Sequence, residues 1–145
     1  MKILNKKARL NYHILKTVEA GVVLTGAEVK SLRENRADLS ESFAKISGNS
    51  AVLKNAYIFP YNGSDSEGYD PRHDRKLLLH KSELDGLRSQ ISGSSVTLIP
   101  LSIYTTRNFI KVELGLAASK KKYDHKKALK EADEKRRLEQ ELKGY

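Results

Sequence analysis

The chain's four histidines, His13, His73, His80 and His125, are its natural candidates for proton transfer near neutral pH. None stands at metal-ligand spacing from a second histidine, and cysteine is absent, so disulfides and thiolate metal sites are excluded and a zinc site is not expected. Arg72-His73-Asp74 imitates the acid–base pair of a ribonuclease. Neighbours on a loop rarely face each other, however, and His73 reads as a surface contact. Glu28 is a carboxylate without an acid partner nearby in sequence. Gly26 precedes no Gly-Lys-Ser/Thr sequence, and the serines lack the setting of a nucleophile elbow. The expectation is a protein without a catalytic centre, a metal or a cofactor.

Binding is a better use of these residues. Lys and Arg number 27 against 18 Asp and Glu, a formal net charge of +9. A field of that sign attracts polyanions and speeds their encounter, without separating RNA from DNA or from an anionic membrane. Lys2, Lys6, Lys7, Arg9 and Lys16 form an N-terminal arm free of acids, either a polyanion contact or a solvated terminus. Lys120-Lys121-Lys122-Tyr123-Asp124 sets three ammonium groups for phosphates beside a ring on which a base can stack. The first five residues lack the apolar run of a signal peptide, and no segment approaches membrane-spanning length, so a cytoplasmic protein is expected.

The elements that must position these groups are mostly strands. Tyr12–Val18 and Val22–Thr25 read as a pair turning at Ala20-Gly21, and Ala27–Asn35 as a helix. Val29 and Leu32 mark that helix's packed face, with Glu28, Lys30 and Arg33 outward. Phe43–Ser47 and Ala51–Ile58 flank a hairpin turn at Gly48-Asn49, with Ala44 and Ile46 on one face. Pro60–Asp74 reads as a long mobile loop and His80–Ile91 as a helix ended by Gly93. Val96–Thr105 and Phe109–Ala117 follow, the first apolar on both faces and with Pro100 marking an edge or a bulge. About six short strands with two inserted helices and no βαβ alternation predict a mainly β protein, a small antiparallel barrel.

Composition changes after Ser119. Residues 120–145 have high helix propensity and few apolar side chains, so this basic tail is expected to be disordered or helical, separate from a domain at 1–119.

Leu24-Thr25-Gly26-Ala27-Glu28-Val29-Lys30-Ser31-Leu32-Arg33 closely resembles the signature of the small protein B family of bacterial trans-translation. Asn5-Lys6-Lys7-Ala8-Arg9, Asp70-Pro71 with Arg75-Lys76-Leu77-Leu78-Leu79, and Tyr123-Asp124 match further blocks in the same order. The resemblance implies an oligonucleotide/oligosaccharide-binding (OB) barrel with two to three accessory helices. It implies binding to the tRNA-like domain of transfer-messenger RNA and delivery of that RNA to stalled ribosomes. GTP-bound elongation factor Tu is an implied partner, and the tail is implied to probe the empty messenger channel. A ribosomal or ribosome-assembly RNA-binding protein is the alternative.

On this reading Asn5, Lys6, Lys7, Arg9, Lys30, Arg33, Arg75, Lys76 and Lys120, Lys121 and Lys122 contact RNA by shape and phosphate. Glu28 either accepts hydrogen bonds from bases or a 2′-hydroxyl, or partners a nearby cation. Asn55 either reads RNA as donor and acceptor or ends a strand. Tyr123, Asp124, His125, Lys126 and Lys127 are the expected ribosomal contacts of the tail. The sequence departs from the family pattern at His73, at Ala118-Ser119 and at His125-Lys126-Lys127, where lysine replaces the planar fork of an arginine.

Overall fold

Three eleven-residue strands carry the computed structural model, which describes residues 1–61, 68–93 and 95–143. In chain order the elements are β1 (Lys2–Leu4), α1 (Lys6–Asn11), β2 (Tyr12–Val22), α2 (Gly26–Arg33) and β3 (Ala37–Asp38). Next come β4 (Phe43–Ser47), β5 (Ser50–Lys54), β6 (Tyr57–Ile58) and β7 (Arg75–Leu78). α3 (Lys81–Ile91), β8 (Val96–Thr106), β9 (Phe109–Ser119) and α4 (Lys120–Lys143) complete the chain.

Seven strands pair antiparallel in the order β1-β8-β4-β5-β7-β2-β9, and β8 also pairs with β9. That second pairing closes the sheet into the expected OB-like barrel and leaves β1 as an extra strand on β8. Closure takes up the edge of β9 that an open sheet would leave free, while β1 stays at the end of the order. β3 and β6 make a small separate sheet.

The double-sided apolar pattern of β8 has a physical use. Leu98 and Ile103 enter the barrel core with Leu53, Val112 and Leu114. Ile99 and Leu101 point the other way, into a second cluster with Ala8 of α1 and Ala117 of β9. A register shift between Pro100 and Ser102 allows the change of face. Pro100 thus marks a bulge and not an edge, since β8 has neighbours on both sides.

That bulge needs a stitch, and Asn5 supplies it. Its backbone N–H donates to the Leu101 carbonyl at 2.8 Å. The side-chain amide donates to the carbonyls of Pro100 (2.8 Å) and Leu39 (3.1 Å), and Oδ1 accepts from the Ala8 N–H to cap α1. The N-terminal arm is therefore a strand and a helix clamped to the barrel, and Asn5 itself is buried.

Three further expectations are corrected. Tyr12–Val22 is one strand, because Ala20-Gly21 stays in the ladder, with Gly21 between Lys111 and Leu78. A Cβ on Gly21 would lie 3.2 Å from that of Leu78, so the glycine serves close approach rather than a turn. The second hairpin strand ends at Lys54, because Asn55 adopts φ 63° and redirects Tyr57–Ile58 to pair with β3. Arg75, expected at the surface with Lys76, is buried at the start of a strand joining β5 to β2, whereas Lys76 is exposed. The hairpin turn is as expected, with Gly48 at φ 60°. α3 is also as expected, with Leu84 and Leu87 in the core and the Glu83 carboxylate accepting from the His80 N–H. Of the long loop, residues 62–67 lie outside the described residues, while 68–74 contain no helix or strand.

Replacing Asn5 by Ala removes the donors from two buried carbonyls, which costs about 1–3 kcal/mol. Urea denaturation should show this loss for Asn5→Ala, and an unchanged midpoint would contradict the role assigned to the side chain.

Candidate nucleic-acid interface

α2 starts with a reciprocal cap. The Thr25 hydroxyl accepts from the Glu28 N–H at 3.2 Å, and Glu28 Oε1 accepts from the Thr25 N–H at 3.0 Å. The cap folds the Glu28 side chain back over the first turn and under the surface, where it is 2 % exposed. This corrects the outward orientation expected of it, whereas Lys30 and Arg33 are exposed as expected.

Glu28 Oε2 accepts from Arg75 Nε at 2.6 Å and lies 2.9 Å from His73 Nε2. Arg75, 1 % exposed, spends its remaining N–H groups on the carbonyls of Ala56 (2.7 Å), His73 (3.3 Å) and Pro71 (2.9 Å) and on the Tyr69 hydroxyl (3.2 Å). The Tyr69 hydroxyl in turn lies 2.9 Å from the Ile58 carbonyl. Burial alone would raise the Glu28 carboxyl. The Thr25 N–H, the bonds and charge of Arg75, and His73 together outweigh it and hold the carboxyl below its ordinary value. Burial, followed by the charge of Glu28, raises the Tyr69 phenol.

The cluster leaves no acid–base pair at Arg72-His73-Asp74. His73 turns to Glu28 and to the Asp74 backbone, while the Asp74 carboxylate pairs with Lys54 at 3.1 Å. Among the described residues no group of three or more His, Asp or Glu is arranged to hold a metal ion. No helix among them is long and apolar enough to cross a membrane.

Above the cluster lies a surface missed by the sequence reasoning. The Arg72 guanidinium sits 5.0 Å from the Tyr57 ring centroid, Arg36 lies 5.5 Å from Phe59, and the Lys30 ammonium lies 5.4 Å from Tyr61. Tyr57 and Phe59 meet edge to face at 4.7 Å. The signal was present in the alternation of Tyr57, Phe59 and Tyr61, which puts three rings on one side of an extended segment. Asn55 buttresses the row: its side-chain and backbone oxygens accept from Arg72 Nη1 at 3.3 and 3.2 Å, and its amide donates to the Glu41 carbonyl. The strand-ending role is the one the structure displays for it.

The remaining cations divide between the two ends of β2. Lys30, Arg33 and exposed Lys76 belong to the α2 end. Lys6, Lys7 and Arg9 on α1 belong to the other, where Tyr12 pairs with Ser119 and half-buried Lys120 opens α4. Lys7 is paired with Glu41 at 2.5 Å, and Arg9 lies 3.9 Å from Glu113. Asn5, Glu28 and Arg75 are buried, and their polar atoms are engaged inside the protein.

α4 is a single helix of 24 residues, and residues 129–142 are exposed throughout. The side chains of Lys121, Lys122, Tyr123, Asp124, His125, Lys126 and Lys127 lie outside the described residues.

A profile of the family described as SmpB protein matches residues 2–144. Two proteins of Streptococcus pyogenes strains, each named SsrA-binding protein, are 44% identical to the chain over 141 residues. Each of these alignments covers 97% of this chain and 91% of the relative. A chain in a solved structure described as "tmRNA-SmpB: a journey to the center of the bacterial ribosome" is 46% identical, with a TM-score of 0.70. That likeness covers 82% of this chain and 84% of the other.

The depressed Glu28 carboxyl contributes stability above its unfolded value of about 4.5, and that contribution is lost as pH falls through the folded value. Glu28→Gln strands the buried guanidinium, at a cost of roughly 3–5 kcal/mol near neutral pH. Denaturation curves should show the gap between wild type and variant narrowing below pH about 4.5. A gap constant with pH would mean that the ionised pair is not the source.

Proposed function

The chain belongs to the SmpB family, and from that premise we propose that it works as an SsrA-binding protein. It binds the tRNA-like domain of transfer-messenger RNA and brings that RNA to stalled ribosomes for trans-translation. The observation that carries this reading beyond family membership is the pairing of a preset cationic and aromatic surface at α2 with an exposed basic helix beyond the barrel's other end. Folded RNA is gripped through phosphates and shape, which suits Lys6, Lys7, Arg9, Lys30, Arg33 and Lys76. Asn5, Glu28, Asn55 and Arg75 hold the backbone that presents them.

The work divides at the end of the last strand. Residues 1–119 bind RNA as a unit. Residues 120–145 serve as a probe of the vacant messenger channel, with Lys120, Lys121 and Lys122 pairing with RNA phosphates and Tyr123, Asp124, His125, Lys126 and Lys127 meeting the ribosome. Two properties support the tail's part. A narrow cationic helix follows a path lined by phosphate, and its sparse leucines leave no apolar face to hold it on the barrel. Delivery involves GTP-bound elongation factor Tu, takes place in the cytoplasm and requires no catalytic step by this chain.

Truncation after Ser119 tests the division. Gel-shift titration should give near-wild-type affinity for the tRNA-like domain, with a steep fall as salt rises, while peptide tagging on stalled ribosomes is abolished. Tight binding lost on truncation would refute it. Tyr123→Ala should weaken tagging to an extent matching about 1–3 kcal/mol of lost stacking, and normal tagging would leave Tyr123 a spacer.

A further inference from the structure

We propose that Arg72 is a fixed stacking plate for a single unpaired nucleobase of the bound RNA, held in place by Tyr57 and Asn55. The proposal rests on the RNA-binding function above and specifies what one part of that surface reads.

An exposed arginine normally samples many rotamers, and ordering it on a ligand carries an entropic cost. Arg72 is already ordered. The Tyr57 ring backs its guanidinium at 5.0 Å, and Nη1 donates to both oxygens of Asn55. Its backbone N–H is fixed by the Asp70 carboxylate at 3.0 Å. Asn55 itself has little freedom, since its φ of 63° ends β5 and its amide is tied to the Glu41 carbonyl. One side of the guanidinium is therefore covered and one edge engaged, while the residue as a whole stays exposed.

Two ligand chemistries suit an arginine on an RNA-binding surface, and the surroundings separate them. Phosphate seeks the donor edge of the guanidinium and an excess of positive charge. Here Nη1 is taken, and Asp70 contacts the same residue. The charge of Arg72 is also felt by the Asp38 carboxylate, which is held low chiefly by the Ser40 hydroxyl and N–H. Those carboxylates repel phosphate. They do not oppose the π-face of a base, and they can accept from its amino edge. A guanidinium plane is a recognised platform for an unstacked base. A base inside a duplex already has both faces covered, so the plate selects a loop or flipped nucleotide.

The test uses the full chain and two RNA probes: a tRNA-like elbow carrying 2-aminopurine in its unpaired loop, and a duplex of matched length. Arg72→Lys keeps the charge and loses the plane; it should weaken elbow binding by about 5- to 150-fold and leave the duplex unchanged. The change in 2-aminopurine fluorescence on binding should disappear with it. Tyr57→Leu should reproduce the loss, and Tyr57→Phe, which keeps the ring, should not. Elbow affinity within about twofold of wild type for Arg72→Lys would overturn the plate. So would an equal loss on both RNAs, which marks Arg72 as a phosphate contact. A wild-type chain that binds neither probe overturns the functional reading itself, and the plate with it.

Discussion

One buried ion pair holds the cationic end of this barrel in shape. Glu28 and Arg75 lie 47 residues apart in sequence, and their contact joins the first turn of α2, the start of β7, the backbone at Ala56 and the segment around Tyr69 and Pro71. Desolvating two charges is expensive, and an apolar pair of similar volume is often as stabilising. An apolar pair, however, would not fix directions. The guanidinium fork aims separate N–H groups at separate acceptors, so the backbone segments around it share one geometry. The pair is therefore better explained by position than by stability.

That geometry extends outward to the surface. Pro71 is pinned from beneath by Arg75 and also accepts from the Ile58 N–H, so the segment bearing Arg72 runs against β6. β6 carries Tyr57, whose ring then lies where Arg72 emerges. A hidden carboxylate thus decides where an exposed cation stands. The N-terminal end follows a similar rule, since Asn5, itself out of reach of solvent, settles where the α1 cations are presented.

How much of this was legible depended on the range of the interaction that decides each element. The Gly48-Asn49 turn and the α3 periodicity are local, and both were readable. The barrel was readable from the succession of strands, and more sharply from a family signature that includes Glu28. The buried polar residues were not. A charged side chain reads as exposed unless its partner is known, and the partner of Glu28 is remote. One local clue was available: Thr25 three residues before Glu28 is the pattern of a reciprocal cap, which turns the carboxylate back along the helix. The packing of the acid-free arm was hidden for the same reason, because only the second apolar face of β8 reveals that something must cover it. Ala20-Gly21 was misjudged because glycine marks both turns and close strand approach, and the side chain of Leu78 decides between them.

The junction of β9 with α4 has a mechanical consequence. Ser119 ends the strand and Lys120 begins the helix, with no residue between them. The last barrel strand therefore sets the direction of the helix, which at 24 residues is about 36 Å long. It behaves as a lever: tilting the barrel by about 10° sweeps the tip through roughly 6 Å. Inserting one residue at the junction would turn every side chain on the lever by about 100° without altering its composition. What the far end of this chain meets is therefore governed by how its barrel is seated.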